Sequence, residues 1–160
     1  MRILITGMSG TGKSTALLSL ARLGYRVVDT DDPGWHEDRE GERLWSEDRM
    51  DALLATGDDR TLFVQGCVRN QSKFYPRFDA VVLLSAPAAV ILDRVATRTT
   101  NNYGKSAAER AIILDDLAHV EPRLRATCTH ELDASRPLPE VVAALIAIAT
   151  GPGRAAQTLP

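Results

Sequence analysis

The sequence predicts an α/β fold built on a parallel β-sheet, and three observations lead to this prediction. Short apolar runs alternate along the chain with longer segments whose apolar residues recur at helical spacing. Residues 79–84 are almost continuously apolar, which is typical of a central parallel strand covered on both faces. Residues 2–6 form a similar run that leads directly into a glycine-rich stretch and a helical pattern. Strands that alternate with helices give three layers, with helices on both sides of the sheet.

These patterns predict five strands and five helices. The predicted strands cover residues 2–6, 26–28, 61–64, 79–84 and 127–132. The predicted helices cover residues 14–23, residues 46–57, a segment after Pro87, a segment after the capping box Ser106–Glu109 that ends or kinks at Pro122, and residues 138–149. The segment 35–45 is polar and is expected to form a loop with irregular helix.

Two of the helices carry apolar residues that we expect to face the core. The predicted inward residues are Leu17, Leu18, Leu20 and Ala21 on the first helix, and Ile112, Ile113, Leu117 and Val120 on the fourth.

Length and composition indicate one globular domain of residues 1–149, followed by a flexible C-terminal tail of residues 150–160. The 160 residues are 44% hydrophobic and 25% charged, with a formal net charge of −2, which argues against a nucleic-acid-binding protein. No apolar run approaches the roughly 20 residues of a membrane span. Cys67 and Cys128 lack metal-type spacing, so free thiols in a reducing cytoplasm are expected. The chain is expected to be a monomer or a homodimer.

The stretch from Gly7 to Ser14 fits the phosphate-binding pattern G-x-x-x-x-G-K-[ST], known as the P-loop. Its glycines let backbone N–H groups surround an anion, and the following helix adds the positive end of its dipole. Lys13 is predicted to reach the β- and γ-phosphates, and the Ser14 hydroxyl to ligate Mg²⁺. The alternative is a glycine-rich turn that matches by chance, but the strand before it and the helix after it favour a nucleotide site. The predicted ATP-binding residues here are Gly7, Ser9, Gly10, Thr11, Gly12, Lys13, Ser14 and Thr15.

Acidic residues follow the second predicted strand at Asp29, Asp31 and Asp32. In open α/β sheets, ligands bind at the carboxyl ends of the strands, so these side chains are expected near the P-loop. A carboxylate beside Mg²⁺ and the nucleotide is suited to orient an attacking hydroxyl. The alternative is a solvated turn before Pro33, because Asp is common in turns.

Arg94 and Arg98 lie one helical turn apart, before a polar loop, and are expected to form a catalytic clamp on the phosphates. The loop is interpreted as a short lid over about residues 98–106 that excludes water from the reaction. Lys105 and Arg110 are further candidates for this clamp. The alternative for all four cations is a solvated basic face.

A pocket for the phosphoryl acceptor is predicted between the segment after Trp35 and the loop that follows the third strand. Gln65, Gly66 and Arg69 are its candidate binding residues, together with Asp31. Trp35 and Trp45 either line this pocket or pack in the core, and packing is the better expectation for large aromatic side chains.

These motifs resemble the small P-loop kinases related to shikimate, gluconate and adenylate kinases, and the resemblance spans residues 1–149. It is carried by Gly7–Ser14, by Asp29-Thr30-Asp31, by Arg94 and Arg98 before the lid, and by residues 132–137. The resemblance implies a three-layer P-loop NTPase fold whose five parallel strands have the order 2-3-1-4-5. It also implies a phosphotransferase that uses ATP and Mg²⁺ to phosphorylate a small metabolite or a nucleotide.

The same resemblance assigns roles to individual residues. In shikimate-type kinases the first acid after strand two helps to hold Mg²⁺ through water and the second contacts the acceptor hydroxyl, which implies these roles for Asp29 and Asp31. Arg136 and Pro137 are implied to pack against adenine, the alternative being an ordinary strand-to-helix turn. The chain departs from the family after its third strand, where Gln65-Gly66-Cys67 replaces the glycine run of shikimate kinases. The sequence therefore leaves the acceptor open.

A competing function is that of a nucleotide-dependent ATPase or switch that acts on a macromolecular partner. The sequence lacks the Asn-Lys-x-Asp pattern that reads guanine, which argues against a GTPase switch. The chain is too short for the extra helical domain of an AAA-type motor, and its third strand ends in Val64-Gln65 rather than in an acidic pair. A nucleotide-binding structural protein is disfavoured because Lys13, Ser14 and Asp31 are all present.

Overall fold

Strand β1 (Arg2–Thr6) lies at the centre of the main sheet in a computed structural model that describes residues 1–57 and 59–151. The other strands are β2 (Arg26–Asp29), β3 (His36–Arg39), β4 (Glu42–Trp45), β5 (Leu62–Gln65), β6 (Ala80–Ser85) and β7 (His130–Asp133). In the described residues the main sheet has five parallel strands in the order β2-β5-β1-β6-β7. Numbered within this sheet alone, the order is the predicted 2-3-1-4-5.

Helices cover both faces of this sheet and complete three layers. They are α1 (Lys13–Arg22), α2 (Glu47–Ala55), a 3₁₀ helix (Gln71–Arg77), α3 (Ala88–Thr97), α4 (Ala107–His119), α5 (Glu121–Thr127) and α6 (Leu138–Thr150). Successive residues of β1 point to opposite faces, so Ile3 and Ile5 pack with α1 and α6, whereas Leu4 packs with α2 and the 3₁₀ helix. The predicted flexible tail lies outside the described residues from position 152 onward.

The segment 35–45 forms an antiparallel hairpin, so the prediction of a loop with irregular helix was wrong there. Strands β3 and β4 pair from His36↔Trp45 to Arg39↔Glu42. The turn places Glu40 at φ 54° and Gly41 at φ 80°, and two consecutive positive φ values are typical of the tight turns that join hairpin strands. Both strands are mostly polar, so the alternation of apolar and polar residues that marks a strand is missing.

Two residues that were predicted to face the core are exposed. Leu18 and Ile112 each keep 52% of their surface accessible, whereas their chain neighbours Leu17 and Ile113 are buried. Leu17 and Ile113 each belong to a buried cluster, and the adjacent position, about 100° further round the helix, points away from that cluster towards solvent. Among the described residues, no helix is long and apolar enough to cross a membrane.

Candidate active site

A cavity of about 580 Å³ opens at the carboxyl ends of the parallel strands, where ligands bind in this class of fold. The loop between β1 and α1 forms its floor, the end of α3 and the start of the lid form one wall, and the β7–α6 loop closes the far end. Its lining includes Ser9 to Ala16, Asp31, Leu84, Arg94, Thr97, Arg98, Thr100, Asn101, Ala134, Arg136, Leu138 and Val141. The cavity thus brings together most of the residues that the sequence predicted for nucleotide binding.

The P-loop has a shape that only glycine permits at two positions. Gly7 has φ 144°, and a Cβ atom there would lie 2.3 Å from the Leu84 carbonyl oxygen. Gly10 has φ 89°, and its Cβ would lie 2.9 Å from Val95 on α3. Any side chain would therefore push the loop away from β6 and α3, and the loop would lose its position over the strand end.

The loop delivers the first turn of α1 to the cavity. Gly12 is the N-cap residue, so the positive end of the helix dipole faces the loop. The first turn contains no acidic side chain that would neutralise this positive potential. Thr11 turns back on Met8, since its backbone N–H and its hydroxyl both donate to the Met8 carbonyl oxygen, at 3.3 and 2.9 Å. This arrangement matches the anion-binding geometry expected of a P-loop.

Lys13 begins α1, and its ammonium group lies within the loop. Its Nζ donates to the carbonyl oxygens of Gly7 and Met8, at 2.8 and 3.1 Å. Burial lowers the pKa of the Lys13 ammonium, while the negative charges of Asp31 and Asp29 act in the opposite direction. Both acids that the sequence singled out therefore act electrostatically on this cation.

Asp29 and Asp31 lie together after β2, joined by a glutamine from the neighbouring strand. Asp29 ends β2 and pairs in register with Gln65 at the end of β5. Gln65 Nε2 donates to Asp29 Oδ1 and to Asp31 Oδ2, the latter at 3.2 Å, and lies 3.5 Å from Ser14 Oγ. The Asp31 backbone N–H also donates to Asp29 Oδ1 at 2.9 Å. Asp32 is exposed to solvent.

This cluster fits a Mg²⁺ ion. Ser14 offers a hydroxyl oxygen and Asp29 and Asp31 offer carboxylates, which are the hard oxygen ligands that Mg²⁺ prefers. Across the described residues, no group of three or more His, Cys, Asp or Glu side chains suits a metal. Such a sparse protein donor set is typical of Mg²⁺ bound with nucleotide phosphates, because this ion retains waters and uses one or two carboxylates.

Arg94 and Arg98 both face the cavity, as the sequence predicted, and each is held by a backbone carbonyl. Arg94 Nη2 donates to the Ala134 carbonyl oxygen at 2.8 Å. Arg98 Nη2 donates to the Tyr103 carbonyl oxygen at 2.7 Å and to Ser9 Oγ at 3.3 Å. Burial lowers the pKa of Arg98, and its Nε atom is buried without a hydrogen-bond partner in the described part of the chain. Arg98 therefore links the lid directly to the P-loop.

The two other candidate cations of the clamp bind backbone carbonyls of the lid. Lys105 Nζ donates to the carbonyl oxygens of Ala96 and Arg98, at 2.7 and 2.5 Å, and so caps the end of α3. Arg110 Nη1 donates to the Lys105 carbonyl oxygen at 2.6 Å. Both side chains stabilise the lid itself in this structure.

The far end of the cavity is apolar, with charge at its rim. Ala134, Leu138 and Val141 line it, and Arg136 lies at the rim with a salt bridge of 2.7 Å to Glu140. Pro137 is the N-cap residue of α6 and is exposed. The end is therefore suited to the flat face of a base, with a guanidinium group nearby.

The predicted acceptor side is built on the hairpin. Gly66 packs so closely that a Cβ atom there would lie 2.2 Å from Thr30 Oγ1 and 2.8 Å from the Trp45 ring. Trp45 is 1% exposed, which favours packing over a role in lining the pocket. Arg69 is exposed and forms a salt bridge with Glu42 of β4.

Sequence reasoning missed a hydrogen-bonded pair of arginine and histidine on this hairpin. Arg43 Nη2 lies 2.9 Å from His36 Nδ1, and because arginine only donates, His36 Nδ1 is the acceptor. Burial and the Arg43 charge lower the pKa of His36, while Asp31 and Asp38 act to raise it. The pair was missed because the hairpin was not predicted: only the pairing of β3 with β4 brings residues 36 and 43 together.

A protein-family model described as AAA domain matches residues 3–115 of the chain. The chain belongs to this family. The match identifies its P-loop family without showing motor activity. No curated protein sequence matches the chain significantly.

Solved structures share the fold over nearly the whole chain. Shikimate kinase from Bacteroides thetaiotaomicron is 18% identical with a TM-score of 0.64, covering 93% of this chain and 98% of that one. Shikimate kinase from Acinetobacter baumannii, solved in complex with shikimate, is 16% identical with a TM-score of 0.61 and covers 92% of each chain. A gluconokinase from Sinorhizobium meliloti 1021 is 22% identical with a TM-score of 0.59, covering 92% of this chain and 91% of that one. The expected resemblance to small P-loop kinases is therefore confirmed for the fold.

Proposed function

We propose that the chain is an ATP-dependent phosphotransferase that moves the γ-phosphoryl group of ATP to a hydroxyl group of a small metabolite. The observation that carries the proposal is the position of Asp31. It lies in the same cavity as the P-loop, and one side-chain nitrogen of Gln65 connects it to Ser14. A nucleotide-binding site that only grips phosphates has no need for a further carboxylate there, whereas phosphoryl transfer needs an acceptor for the hydroxyl proton.

Each group of residues in the cavity has its own role in this reaction. P-loop N–H groups and Lys13 bind the β- and γ-phosphates, and Arg94 and Arg98 bind the transferring group from the opposite wall. Asp31 orients the acceptor hydroxyl and takes its proton as the new O–P bond forms, while the bond from the γ-phosphorus to the β–γ bridging oxygen breaks and ADP leaves. Ser14 and Asp29, the latter through water, would hold Mg²⁺, which would supply positive charge to neutralise the phosphate oxygens. Arg136 and Pro137 border the base.

The closed lid favours transfer of the phosphoryl group to the acceptor over transfer to water. Arg98 connects the lid at Tyr103 to the P-loop at Ser9, so closing the lid and gripping the phosphates involve the same side chain. A closed lid excludes water and so protects the γ-phosphate from hydrolysis. The structural similarity to shikimate kinase and gluconokinase supports a small hydroxylated acceptor and leaves its identity open.

ADP release from MgATP, measured with and without a panel of hydroxy acids, polyols and nucleosides, tests the proposal. We expect at least one acceptor to raise ADP release well above the rate without acceptor. Lys13→Ala should abolish that stimulation and remain folded, because among the described residues the ammonium group donates to loop carbonyl oxygens alone. A rate that no small acceptor changes, but that a macromolecular partner stimulates, would support the competing ATPase function instead.

A further inference from the structure

Gln65 occupies an unusual position for a polar side chain. It ends β5, the strand between β1, which leads into the P-loop, and β2, which ends in Asp29. It is 0% exposed, and burying an amide is unfavourable unless its hydrogen-bonding groups find partners. Gln65 is predicted to bind the acceptor, and its amide contacts Asp31 on that side of the site as well as Asp29, and lies near Ser14.

The partners of Gln65 determine which way its amide points. Asp29 and Asp31 offer carboxylate oxygens, which only accept, so the nitrogen Nε2 must face them. The same nitrogen lies 3.5 Å from Ser14 Oγ. The opposite atom, Oε1, is buried without a hydrogen-bond partner in the described part of the chain. One half of the amide thus holds the acids, and the other half remains unpartnered.

A purely structural role does not account for this arrangement. Two carboxylates close to one another repel, and a neutral donor between them offsets that repulsion without adding charge. An apolar side chain of similar size would fill the space at less cost, whereas an unpartnered buried carbonyl oxygen is destabilising. P-loop NTPases use an acidic residue to help hold Mg²⁺. This chain instead has the Gln65 amide at the point where Asp29, Asp31 and Ser14 converge.

We infer that Gln65 is a positioning residue for Mg²⁺: its amide holds Asp29 and Asp31 beside Ser14 and so sets the magnesium dependence of nucleotide binding. This inference rests on the proposed function, since it concerns the same site. Residues that orient metal ligands commonly change metal affinity by about 10–100-fold when they are replaced.

Magnesium titrations of AMP-PNP binding, followed by calorimetry, test this role in Gln65→Leu. We expect the Mg²⁺ concentration that gives half of the full gain in AMP-PNP affinity to rise about 10–100-fold. Gln71→Leu is the matched control, because Gln71 is another buried glutamine, 2% exposed, whose amide contacts Thr6, Val68 and Tyr75 rather than acids. Its Mg²⁺ midpoint should equal that of the wild type.

Gln65→Glu provides a second test that keeps the size of the side chain. A third carboxylate should lower the melting temperature in EDTA and should increase the melting-temperature gain on adding Mg²⁺ alone. The inference is overturned if either Gln65 variant keeps the wild-type magnesium response while folded, or if Gln71→Leu shifts the midpoint equally. Wild-type protein that fails to bind AMP-PNP with Mg²⁺ would instead refute the proposed function, so the two failures are distinguishable.

Discussion

The nucleotide wall, formed by Gly7 to Thr15 with Arg94 and Arg98, differs in construction from the acceptor wall, formed by the β3–β4 hairpin and residues 65–71. Lys13 is held by carbonyl oxygens five and six residues away. On the acceptor wall, Trp45 is bound through its backbone to Asn70 and through its indole to Thr30, which are 25 and 15 residues away. One wall is assembled mostly by a local motif and the other by distant side chains.

This difference has a consequence for specificity. Phosphates are the same in every nucleoside triphosphate, and backbone N–H groups on a glycine-rich loop suffice to bind them. An acceptor is recognised by particular side chains, which the fold carries on elements that differ between proteins with the same sheet. We therefore expect changes on the nucleotide wall to alter ATP use, and changes on the acceptor wall to alter acceptor use.

Asp31 should show the largest effect, because it lies where the two walls meet. Asp31→Asn should lower kcat by roughly 10²–10⁴-fold, the usual contribution of a positioned general base. ATP affinity at saturating Mg²⁺ should change little, since the P-loop remains intact. Steady-state kinetics with any acceptor that the panel yields, together with calorimetry of AMP-PNP, measure both quantities.

Asp32→Asn is the matched control for this prediction. Asp32 is exposed and is the next residue in the chain, so its replacement changes the local charge equally. Normal turnover in Asp31→Asn with loss of turnover in Asp32→Asn would transfer the role to Asp32.

Much of the nucleotide wall was predictable from sequence, and the reason lies in how the wall is built. The pattern from Gly7 to Ser14 specifies a loop whose partners are mainly its own residues and the helix that follows. The position of Gln65 was not predictable in the same way, because it depends on the register between β2 and β5, which pairs Asp29 with Gln65. The hairpin was missed because Glu40-Gly41 is a weaker turn signal than Asn-Gly and its strands are polar.

Arg98 should show the next largest effect and should act mainly on the rate. Negative charge shifts on the phosphoryl oxygens during transfer, so a guanidinium group there binds the transition state more strongly than the ground state. Arg98→Ala should lower kcat by about 10²–10³-fold, as for other preorganised donors, with a smaller rise in KM for ATP. Kinetics at varied ATP concentration measure the two changes.

Arg94→Ala offers a comparison on the same helix. Arg94 contacts Ala134, whereas Arg98 contacts both the lid and Ser9, so the ratio of ATP hydrolysis to transfer should rise more in Arg98→Ala. If both variants keep wild-type kcat, these arginines do not form the clamp, and the site must draw its clamp from elsewhere, with Arg110 and Arg136 as the next candidates.

Asn70 should show a smaller effect that is confined to the acceptor wall. Asn70→Ala leaves the backbone N–H and carbonyl of Trp45 without their side-chain partner, which should cost about 1–3 kcal/mol of unfolding free energy. A displaced hairpin should also raise KM for the acceptor while KM for ATP stays unchanged. Urea unfolding and two-substrate kinetics measure these effects, with the exposed neighbour Ser72→Ala as control. An equal rise in both KM values would show that the walls are not separable.

His36 should show the smallest effect, and its sign follows from its pKa. The pKa is lowered from the ordinary 6.5, because burial and the Arg43 guanidinium both disfavour the imidazolium form. The unfolded chain therefore binds a proton more readily, so the stabilising contribution is complete above pH 6.5 and is lost as the pH falls towards the folded-state pKa. Protonation also ends the acceptance of a hydrogen bond from Arg43 and places two cations side by side.

Urea unfolding of wild type and His36→Asn at about pH 5 and about pH 8 isolates this contribution, because asparagine does not titrate. The wild type should lose more unfolding free energy than the variant on acidification. Since the pair lies on the acceptor wall, KM for the acceptor should also depend on pH in the wild type more than in the variant, and KM for ATP should not. Identical pH profiles in the two proteins would mean either that His36 stays in one protonation state or that its protonation has the same free energy in the folded and the unfolded chain. The hairpin would then affect the acceptor by shape rather than by charge.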